Sequence, residues 1–195
     1  MNSNQIQEAI QGVAKRETDQ LRTCIPGVIK AYTNGRATVL PSGQMQYENG
    51  RVLDYPLIYD VPVIFPVGLS GKAGVTFPIQ EGDGCLILFA QDNLQKYLHG
   101  TDTDDQRHHS LNDAICIPGL YSSEIPTVES NPDDVCISNG DSLVTLGSGG
   151  FSGKLSDGTT FSFSGSDLVV NGISLTKHTH PGVESGSANT GTPQG

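Results

Sequence analysis

The sequence has little of what a large hydrophobic core requires. Hydrophobic residues make up 35% and charged residues 16% of the 195 residues, and the balance is rich in Gly, Ser, Thr and Asn. This composition favours a β-rich or extended architecture over a helical bundle. Positive charge is also scarce, because 11 Lys and Arg stand against 21 Asp and Glu and leave a net charge of -10. We therefore expect no nucleic-acid partner and no static docking on anionic lipid.

Long apolar runs and common functional motifs are missing as well. No run approaches the roughly 20 residues that span a bilayer, and the start, MNSNQIQEAI, lacks the features of a secretory signal. We therefore expect synthesis and folding in a cytoplasm. The four cysteines match no zinc spacing, and Cys85 and Cys116 lie in the apolar runs CLILF and AICI, which indicates buried thiols.

Catalytic signatures are absent too. The sequence holds no Gly-x-Ser-x-Gly elbow, P-loop or His-Glu-x-x-His motif, and its carboxylates are scattered. The adjacent pair His108-His109 is typical of a solvated loop. We nominate no catalytic residue and no organic cofactor, and we expect the protein not to be an enzyme.

Residues 1–24 are predicted to form an N-terminal helix. Apolar residues recur at helical spacing between residues 3 and 22, at Ile6, Ile10, Val13 and Leu21. Ser3 is the predicted cap, and Pro26 ends the pattern. Because the apolar stripe is thin, we expect it to pack on a neighbour.

Residues 25–122 are predicted to form a small β-barrel, for which an OB-fold is the leading choice. Asn34-Gly35 between two alternating runs is the strongest hairpin signal in the chain. Further strands are predicted at YPLIYDVPVIFPVG, where the prolines mark an edge or bulged strand, and at AGVTFPI, CLILFA and NDAICIPGL, with a turn at EGDG. QDNLQKYLHG is predicted to be a short helix with Asp92 as N-cap and Gly100 as terminator.

Residues 123–175 are predicted to form a linker and a shaft. From residue 138 onward the chain holds 12 of its 24 glycines and no tyrosine. Short alternating stretches remain, so that Phe161 and Phe163 share one face of a strand and Ile173 and Leu175 another, with Ser162, Ser164 and Ser174 facing outward. So few apolar residues cannot enclose a core in one chain. The region is therefore either a flexible linker or an intertwined shaft of three chains, and the alternation favours the shaft, a triangular β-prism.

Residues 176–195 are predicted to form an apex. On an extended strand His178 and His180 would share a face, about 6.6 Å apart. One chain offers two imidazoles, whereas three chains offer six, a full octahedral set for a transition metal. The predicted metal site is thus incomplete in the monomer and complete in the trimer. A solvated loop is the alternative interpretation of this pair.

A rival interpretation adds Glu184. The spacing from Gly172 through His178, His180 and Glu184 to Gly191 is similar to the first metal-binding motif of cupins, in which two His and a Glu bind a metal inside a jelly-roll barrel. That similarity would make the protein a metalloenzyme. However, no His follows His180 to supply the second cupin motif, and the short Gly-rich end cannot supply the missing strands.

Segments of the barrel and the end of the chain resemble the central spike proteins of contractile-tailed bacteriophages, of the Mu-like and P2-like type. In the barrel these segments are DVPVIFPVG, GVTFPIQEGDGCLILFAQDNLQKYL and HHSLNDAICIPGL. At the end the segment is HTHPGVESGSANTGTPQG, which is similar to the His-x-His tip of that family.

This resemblance implies a homotrimer with an OB-fold collar, a triple-stranded β-helix and a pointed apex. His178 and His180 of three chains would ligate one iron ion, with zinc or another transition metal as the alternative. Sheath contraction would drive the apex through the bacterial outer membrane, and the collar would join the tail tube through a baseplate hub protein. We thus expect a virion protein assembled in the host cytoplasm. A trimeric receptor-binding tail fibre is the alternative, although only a thin Gly/Ser segment follows the shaft.

Overall fold

The structure, a computed structural model, describes residues 3–47, 50–100, 107–125, 131–182 and residue 186, with the side chains of 16–20 left out. The chain divides into two compact units, Met1–Thr127 and Val128–Gly195. Both are mainly β, as predicted, and one longer helix lies at the N-terminus.

The predicted N-terminal helix is confirmed as α1, Ser3–Gln20. Irregular backbone at residues 21–23 separates it from the first strand. Its apolar side chains remain open to solvent, since Ile6 is 46%, Ile10 63% and Val13 54% exposed. The first unit therefore leaves this stripe of α1 uncovered.

The remaining described elements of the first unit are short strands, one short helix and single 3₁₀ turns at Leu69–Gly71 and Leu111–Asp113. They are β1 Cys24–Thr33, β2 Arg36–Pro41, β3 Gln44–Gln46, β4 Val52–Asp54, β5 Ile58–Pro62, β6 Val67–Gly68, β7 Ala73–Gly74, β8 Gly84–Phe89, α2 Leu94–His99 and β9 Ala114–Pro118.

Five of these strands form one curved antiparallel sheet in the order β5-β2-β1-β8-β9. Its two edges approach each other, because Val63, just after β5, forms a parallel bridge with Cys116 of β9. The Ile64 N–H donates to the Cys116 carbonyl at 2.9 Å. The sheet is therefore a half-barrel whose two edges are joined by a single β-bridge.

The core of the first unit lies inside this curved sheet. Alternate residues of its strands point inward, and the buried apolar residues are Ile29, Ala37, Val39, Ile58, Val61, Cys85, Ile87, Phe89, Ala114 and Cys116. Both thiols predicted to be buried are thus in the core. The hydrogen bond with Cys116, together with burial, raises the pKa of Cys85, so this thiol stays neutral.

The Asn34-Gly35 hairpin joins β1 and β2 as predicted. Thr33 pairs with Arg36, and both turn residues have positive φ, 50° for Asn34 and 80° for Gly35. Asn and Gly are the residues that adopt this backbone region at least cost. The predicted edge character of the proline-rich segment is also confirmed, since β5 is an edge strand with an irregular register against β2.

Two local predictions are wrong. AGVTFPI is a strand only at Ala73–Gly74, and the chain from residue 75 to 80 is irregular, because Pro78 cannot donate a ladder hydrogen bond. The N-cap of α2 is Asn93, whose side chain accepts from the Gln95 N–H at 2.9 Å, while Asp92 instead lies 3.1 Å from the His108 ring. Gly100 ends α2 in the left-handed conformation, as predicted.

The described part of the second unit is a six-stranded antiparallel sheet in which every strand pairs with its neighbour in sequence. The strands are β10 Val135–Asn139, β11 Ser142–Gly147, β12 Gly150–Lys154, β13 Thr160–Ser164, β14 Asp167–Val170 and β15 Ile173–Ser174. Among them β12, GFSGK, carries a single large apolar residue, Phe151.

The connectivity within one chain is that of a meander, and the intertwining of three chains, which is a property of an assembly, stays a prediction. Intertwined strands would pair with strands of other copies, whereas here each ladder from β10 to β15 forms within one chain. Short turns between consecutive strands make this local pairing the entropically cheaper one. The inner ladders are thus satisfied within one chain, and the two faces and the edge strands β10 and β15 are the surfaces that the sheet offers to other copies.

Candidate functional site

The register of the second unit gathers its large apolar residues on one face. Val135 lies opposite Leu146, Leu146 opposite Phe151, and Phe151 opposite Phe163. Directly opposed residues project to the same side of a sheet. The resulting apolar face consists of Val135, Ile137, Val144, Leu146, Phe151, Phe161, Phe163, Leu168, Val170 and Ile173.

The other side of the same sheet is polar. It carries mainly hydroxyl side chains, with Leu143 and Val169 as apolar exceptions. The members of this polar face are Cys136, Ser138, Thr145, Ser152, Lys154, Thr160, Ser162, Ser164, Asp167 and Ser174. The shared face of Phe161 and Phe163 and the opposite orientation of Ser162 and Ser164 are thereby confirmed. Leu175, by contrast, lies beyond the last strand, in a turn.

The apolar face is largely bare in a single chain. Val135 and Ile137 are each 66% exposed, Ile173 64% and Phe163 54%. Phe151 and Phe161, on neighbouring strands of the sheet, pack against each other with their ring centroids 5.7 Å apart. The Phe161 ring also lies over Gly153, where any larger side chain would collide with it. Contiguous exposed apolar surface of this kind marks an interaction site.

The apex begins where this sheet ends. Residues 175–177 form a turn, and residues 178–180 are irregular, so the prediction that strand alternation continues through His178 and His180 is wrong. Asp167 holds the turn, because its Oδ2 accepts from Ser174 Oγ at 2.6 Å. Its Oδ1 accepts from the backbone N–H and the hydroxyl of Thr176, at 3.1 and 2.9 Å.

These hydrogen bonds also set the protonation of Asp167. The bond from Ser174 lowers the pKa of the Asp167 carboxyl most, and the two bonds from Thr176 and the charge of Lys177 lower it further against the opposing effect of partial burial. The carboxylate is therefore ionised throughout the neutral range and acts only as an acceptor.

His178 is held against the same turn. Its backbone N–H donates to the Ser174 carbonyl at 3.2 Å, and its Nδ1 lies 2.8 Å from that carbonyl and 3.1 Å from the Leu175 carbonyl. Carbonyl oxygens only accept, so Nδ1 carries the proton. The lone pair of the neutral ring is then on Nε2, the arrangement in which histidine binds metals while its other nitrogen is anchored.

His180 places a second imidazole beside the first. The two ring centroids are 5.0 Å apart and the rings are nearly perpendicular, at 82°. Within the described residues of one chain, no group of three or more His, Cys, Asp or Glu side chains is placed to hold a metal ion. Glu184, the third ligand of the cupin-like alternative, lies outside the described residues. A single chain therefore offers two imidazole donors, which suit a metal only if further donors come from elsewhere.

The other histidine pair lies in the first unit. His108 is exposed and faces Asp92 and the Gln91 carbonyl, whereas His109 is half-buried with its Nδ1 enclosed. The prediction of solvated histidines therefore holds for His108 and is wrong for His109, which also has a positive φ of 48°.

One buried ionic group escaped the sequence analysis. Asp113 is fully buried between α2 and β9, and its carboxylate accepts from Arg107 at 2.6 and 3.1 Å and from the Leu94 N–H at 2.8 Å. Arg107 also donates to Asn93, the cap of α2. The one available signal was an Asp directly before the buried run AICI. This cluster anchors the start of α2 to the sheet.

Comparisons with known proteins find a family match in the half-barrel sheet and another at the histidine apex. No helix among the described residues is long and apolar enough to cross a membrane, and no curated protein matches the chain. Residues 25–119, which contain the half-barrel sheet, match the family described as the phage protein Gp138 N-terminal domain. Residues 172–194, which contain β15 and both apex histidines, match the GpV Apex motif. Both are families of phage baseplate spike proteins, and the chain is similar to them over these two segments.

Proposed function

We propose that the protein is the cell-puncturing spike at the tip of a contractile phage tail and that it works as a homotrimer. The observation that carries the proposal is the bare apolar face of the second unit, which leads directly into the histidine apex. A sheet that satisfies its own backbone but exposes such a face needs other apolar surface to cover it. Copies of the same face are the simplest cover.

Three copies fit the apex better than two. Two sheets packed face to face would cover the apolar residues but would bring together only four imidazoles. Three sheets form the walls of a triangular prism, with Phe151, Phe163 and Leu146 of each wall inside and the serine-rich face outside. They also bring six imidazoles to one end, and the resemblance to phage spikes supports the same number.

The two histidines of each chain are the proposed metal ligands. His178 fits this role because its Nδ1 proton is engaged by backbone carbonyls, which leaves Nε2 as the donor nitrogen. The resemblance favours iron over zinc or another transition metal, with one ion per trimer. Such an ion cross-links three chain ends where the apolar face has ended, and it stabilises only the assembled state.

The first unit is the proposed collar. Its five sheet strands connect in the circuit β1-β2-β5-β9-β8, closed by the Val63–Cys116 bridge, which supports an OB-fold barrel. We place the contact with the baseplate hub and tail tube on this collar. The exposed stripe of α1, at Ile6, Ile10 and Val13, is the surface we assign to the hub.

Perforation by force requires a stiff, narrow point and no catalytic group. The described cysteines are unpaired, which is consistent with assembly in the host cytoplasm before the spike becomes part of the virion. Any cleavage of peptidoglycan is then the task of another protein.

Native mass and metal analysis test the proposal. We expect a trimer with one metal per three chains. The double substitution His178→Ala, His180→Ala should remove the metal but leave the trimer, because the apolar face is intact. Phage assembled with this variant should adsorb to cells normally but release cellular potassium more slowly. One metal per chain would instead favour the cupin-like alternative, and a wild-type monomer would refute the spike.

Acidification provides a second test of the same site. Ligating imidazoles must be neutral, and free histidine has a pKa of about 6.5. Metal content measured after dialysis should therefore be stoichiometric at pH 8 and lost toward pH 4. Metal retained in full at pH 4 after prolonged dialysis would contradict histidine ligation.

A further inference from the structure

We propose that Asp167 is a positioning residue of the apex, which fixes the turn against which His178 is held with its Nε2 free to bind metal. The inference deepens the proposed function and rests on it, because it assigns a role to a residue outside the His-x-His pair. Nothing in the sequence pattern singles Asp167 out, since it lies on the polar face of β14, eleven residues before His178.

The contacts of Asp167 converge on one short segment. Its carboxylate receives three hydrogen bonds, and all three come from residues 174 and 176. Ser174 extends the connection, since its Oγ also accepts from the Lys177 N–H at 2.9 Å. One side chain thus ties both ends of the turn to β14, just before the metal-binding pair.

The turn held in this way provides the acceptors for His178. Its Nδ1 faces the carbonyls of Ser174 and Leu175, at 2.8 and 3.1 Å, and both belong to the segment that Asp167 holds. Without fixed acceptors, the ring proton exchanges between Nδ1 and Nε2, and a ring protonated at Nε2 cannot bind metal through that nitrogen. Asp167 therefore acts on the tautomer and the orientation of His178 through the backbone of the turn.

A carboxylate suits this position better than an amide. Two hydroxyls and one backbone N–H all donate toward it, and an ionised carboxylate offers acceptor oxygens on both sides. Asparagine would keep one oxygen and turn an NH₂ group toward a donor. We therefore expect Asp167→Asn to keep part of the turn and Asp167→Ala to lose it.

The experiment compares Asp167→Ala and Asp167→Asn with a matched control in the same unit. The control is Asp157→Asn, because the Asp157 side chain also organises a turn, accepting from the Thr159 N–H at 2.8 Å, but has no contact with the apex. Zinc affinity of the full-length trimer is measured by competition with a chromophoric chelator. Loss of a group that orients a metal ligand typically weakens binding 10–100-fold. We expect a loss of about that size for Asp167→Ala, a smaller one for Asp167→Asn and none for the control.

A spectroscopic measurement separates positioning from general stability. In metal-free trimer labelled with ¹⁵N-histidine, two-bond correlations at pH 8 report which ring nitrogen carries the proton. We expect His178 to be protonated at Nδ1 in the wild type and the control, and to become a mixture of tautomers in Asp167→Ala. Should Asp167→Ala not fold, Ser174→Ala removes a single hydroxyl of the network and should weaken zinc binding in the same direction.

The outcomes distinguish this inference from the proposed function. Unchanged zinc affinity and an unchanged Nδ1-protonated ring in the Asp167 variants would overturn the role of Asp167 while leaving the metal site in place. Zinc binding that survives His178→Ala, His180→Ala would instead refute the metal site itself. If Asp157→Asn weakened zinc binding as much as the Asp167 variants do, the cause would be a general destabilisation of the sheet, and the inference would also be overturned.

Discussion

Asp113 is the residue whose environment departs most from that of an ordinary surface acid. It is fully buried, and Arg107, itself 26% exposed, pairs with it through two hydrogen bonds. Burial raises the pKa of the Asp113 carboxyl, but the bond from Arg107, the Leu94 N–H and the arginine charge together lower it by more. The carboxylate is thus ionised in the folded protein, and removing it leaves a cation without its buried partner.

We predict that Asp113→Ala destabilises the first unit by about 3 kcal/mol, the lower end of the range for breaking a buried ion pair, since Arg107 reaches solvent. Urea unfolding at pH 7 measures the change. Asp92→Ala is the control, because Asp92 lies at the same end of α2 with 75% of its side chain exposed, and it should shift the free energy of unfolding by less than about 0.5 kcal/mol. Equal changes in the free energy of unfolding for the two substitutions would show that the buried ion pair contributes no more to stability than an exposed carboxylate.

The same pair predicts a pH dependence. A carboxyl with a lowered folded pKa stabilises the protein above its unfolded pKa, about 3.9 for Asp, and this stabilisation is lost as the pH falls through the lower folded pKa. The urea midpoint of the first unit should therefore fall below about pH 4 in the wild type and fall less steeply in Asp113→Asn. Parallel curves for the two proteins between pH 7 and pH 3 would assign the acid sensitivity to other groups.

At the residue scale the sequence predicted which side chains are chemically suited to the apex but not how they are held. His178 and His180 were nominated from their place at the end of an alternating segment and from the resemblance to phage spikes, and their role as metal ligands stays a prediction. The Nδ1–H tautomer of His178 and its proposed support by Asp167 depend on a turn held by contacts between residues seven and nine apart, and no local periodicity encodes those contacts. Asp113 was missed for the same reason, because its partner Arg107 is recognisable only once α2 and β9 are brought together.

At the scale of the elements, the second unit shows that alternation predicts which side of a sheet a residue lies on more reliably than it predicts which strands pair. Period-two patterns placed Phe161 and Phe163 on one side, and the register confirms it. The same pattern is equally compatible with strands paired within a chain and with strands paired between chains. Within one chain, the turn residues between consecutive strands favour local hairpins, as at Gly140 and Gly165, both with positive φ.

Introducing an aspartate should have different effects on the two faces of this sheet. Phe151→Asp puts a charge on the apolar face, where three copies would each bury a carboxylate, and we expect the trimer to dissociate to monomers at micromolar concentration. Ser152→Asp changes the adjacent residue on the polar face and should leave the trimer intact. Sedimentation velocity measures both. Dissociation by Ser152→Asp and not by Phe151→Asp would place the interface on the polar face and contradict the prism.

At the scale of the whole molecule, the two units are stabilised in different ways. The first has a buried core of its own, whereas the large apolar residues of the second are mostly exposed in one chain. The sequence predicts this difference, because the Gly-rich half has too few apolar residues to enclose a core in one chain. What the sequence could not show is that this half still forms a complete sheet, because backbone pairing and side-chain burial are satisfied separately.

Calorimetry of the full-length protein should therefore show two transitions that respond differently to concentration. An element that is covered only by other copies gains stability by mass action, so its transition temperature rises with protein concentration, while that of a self-contained core does not. We expect the transition of the second unit to rise between 5 and 200 µM, roughly as association linkage requires, and to fall when a chelator removes the metal. In Phe151→Asp this transition should disappear and that of the first unit remain. If both transitions were independent of concentration, each chain would be folding alone, and the apolar face would have to be covered by something other than its own copies.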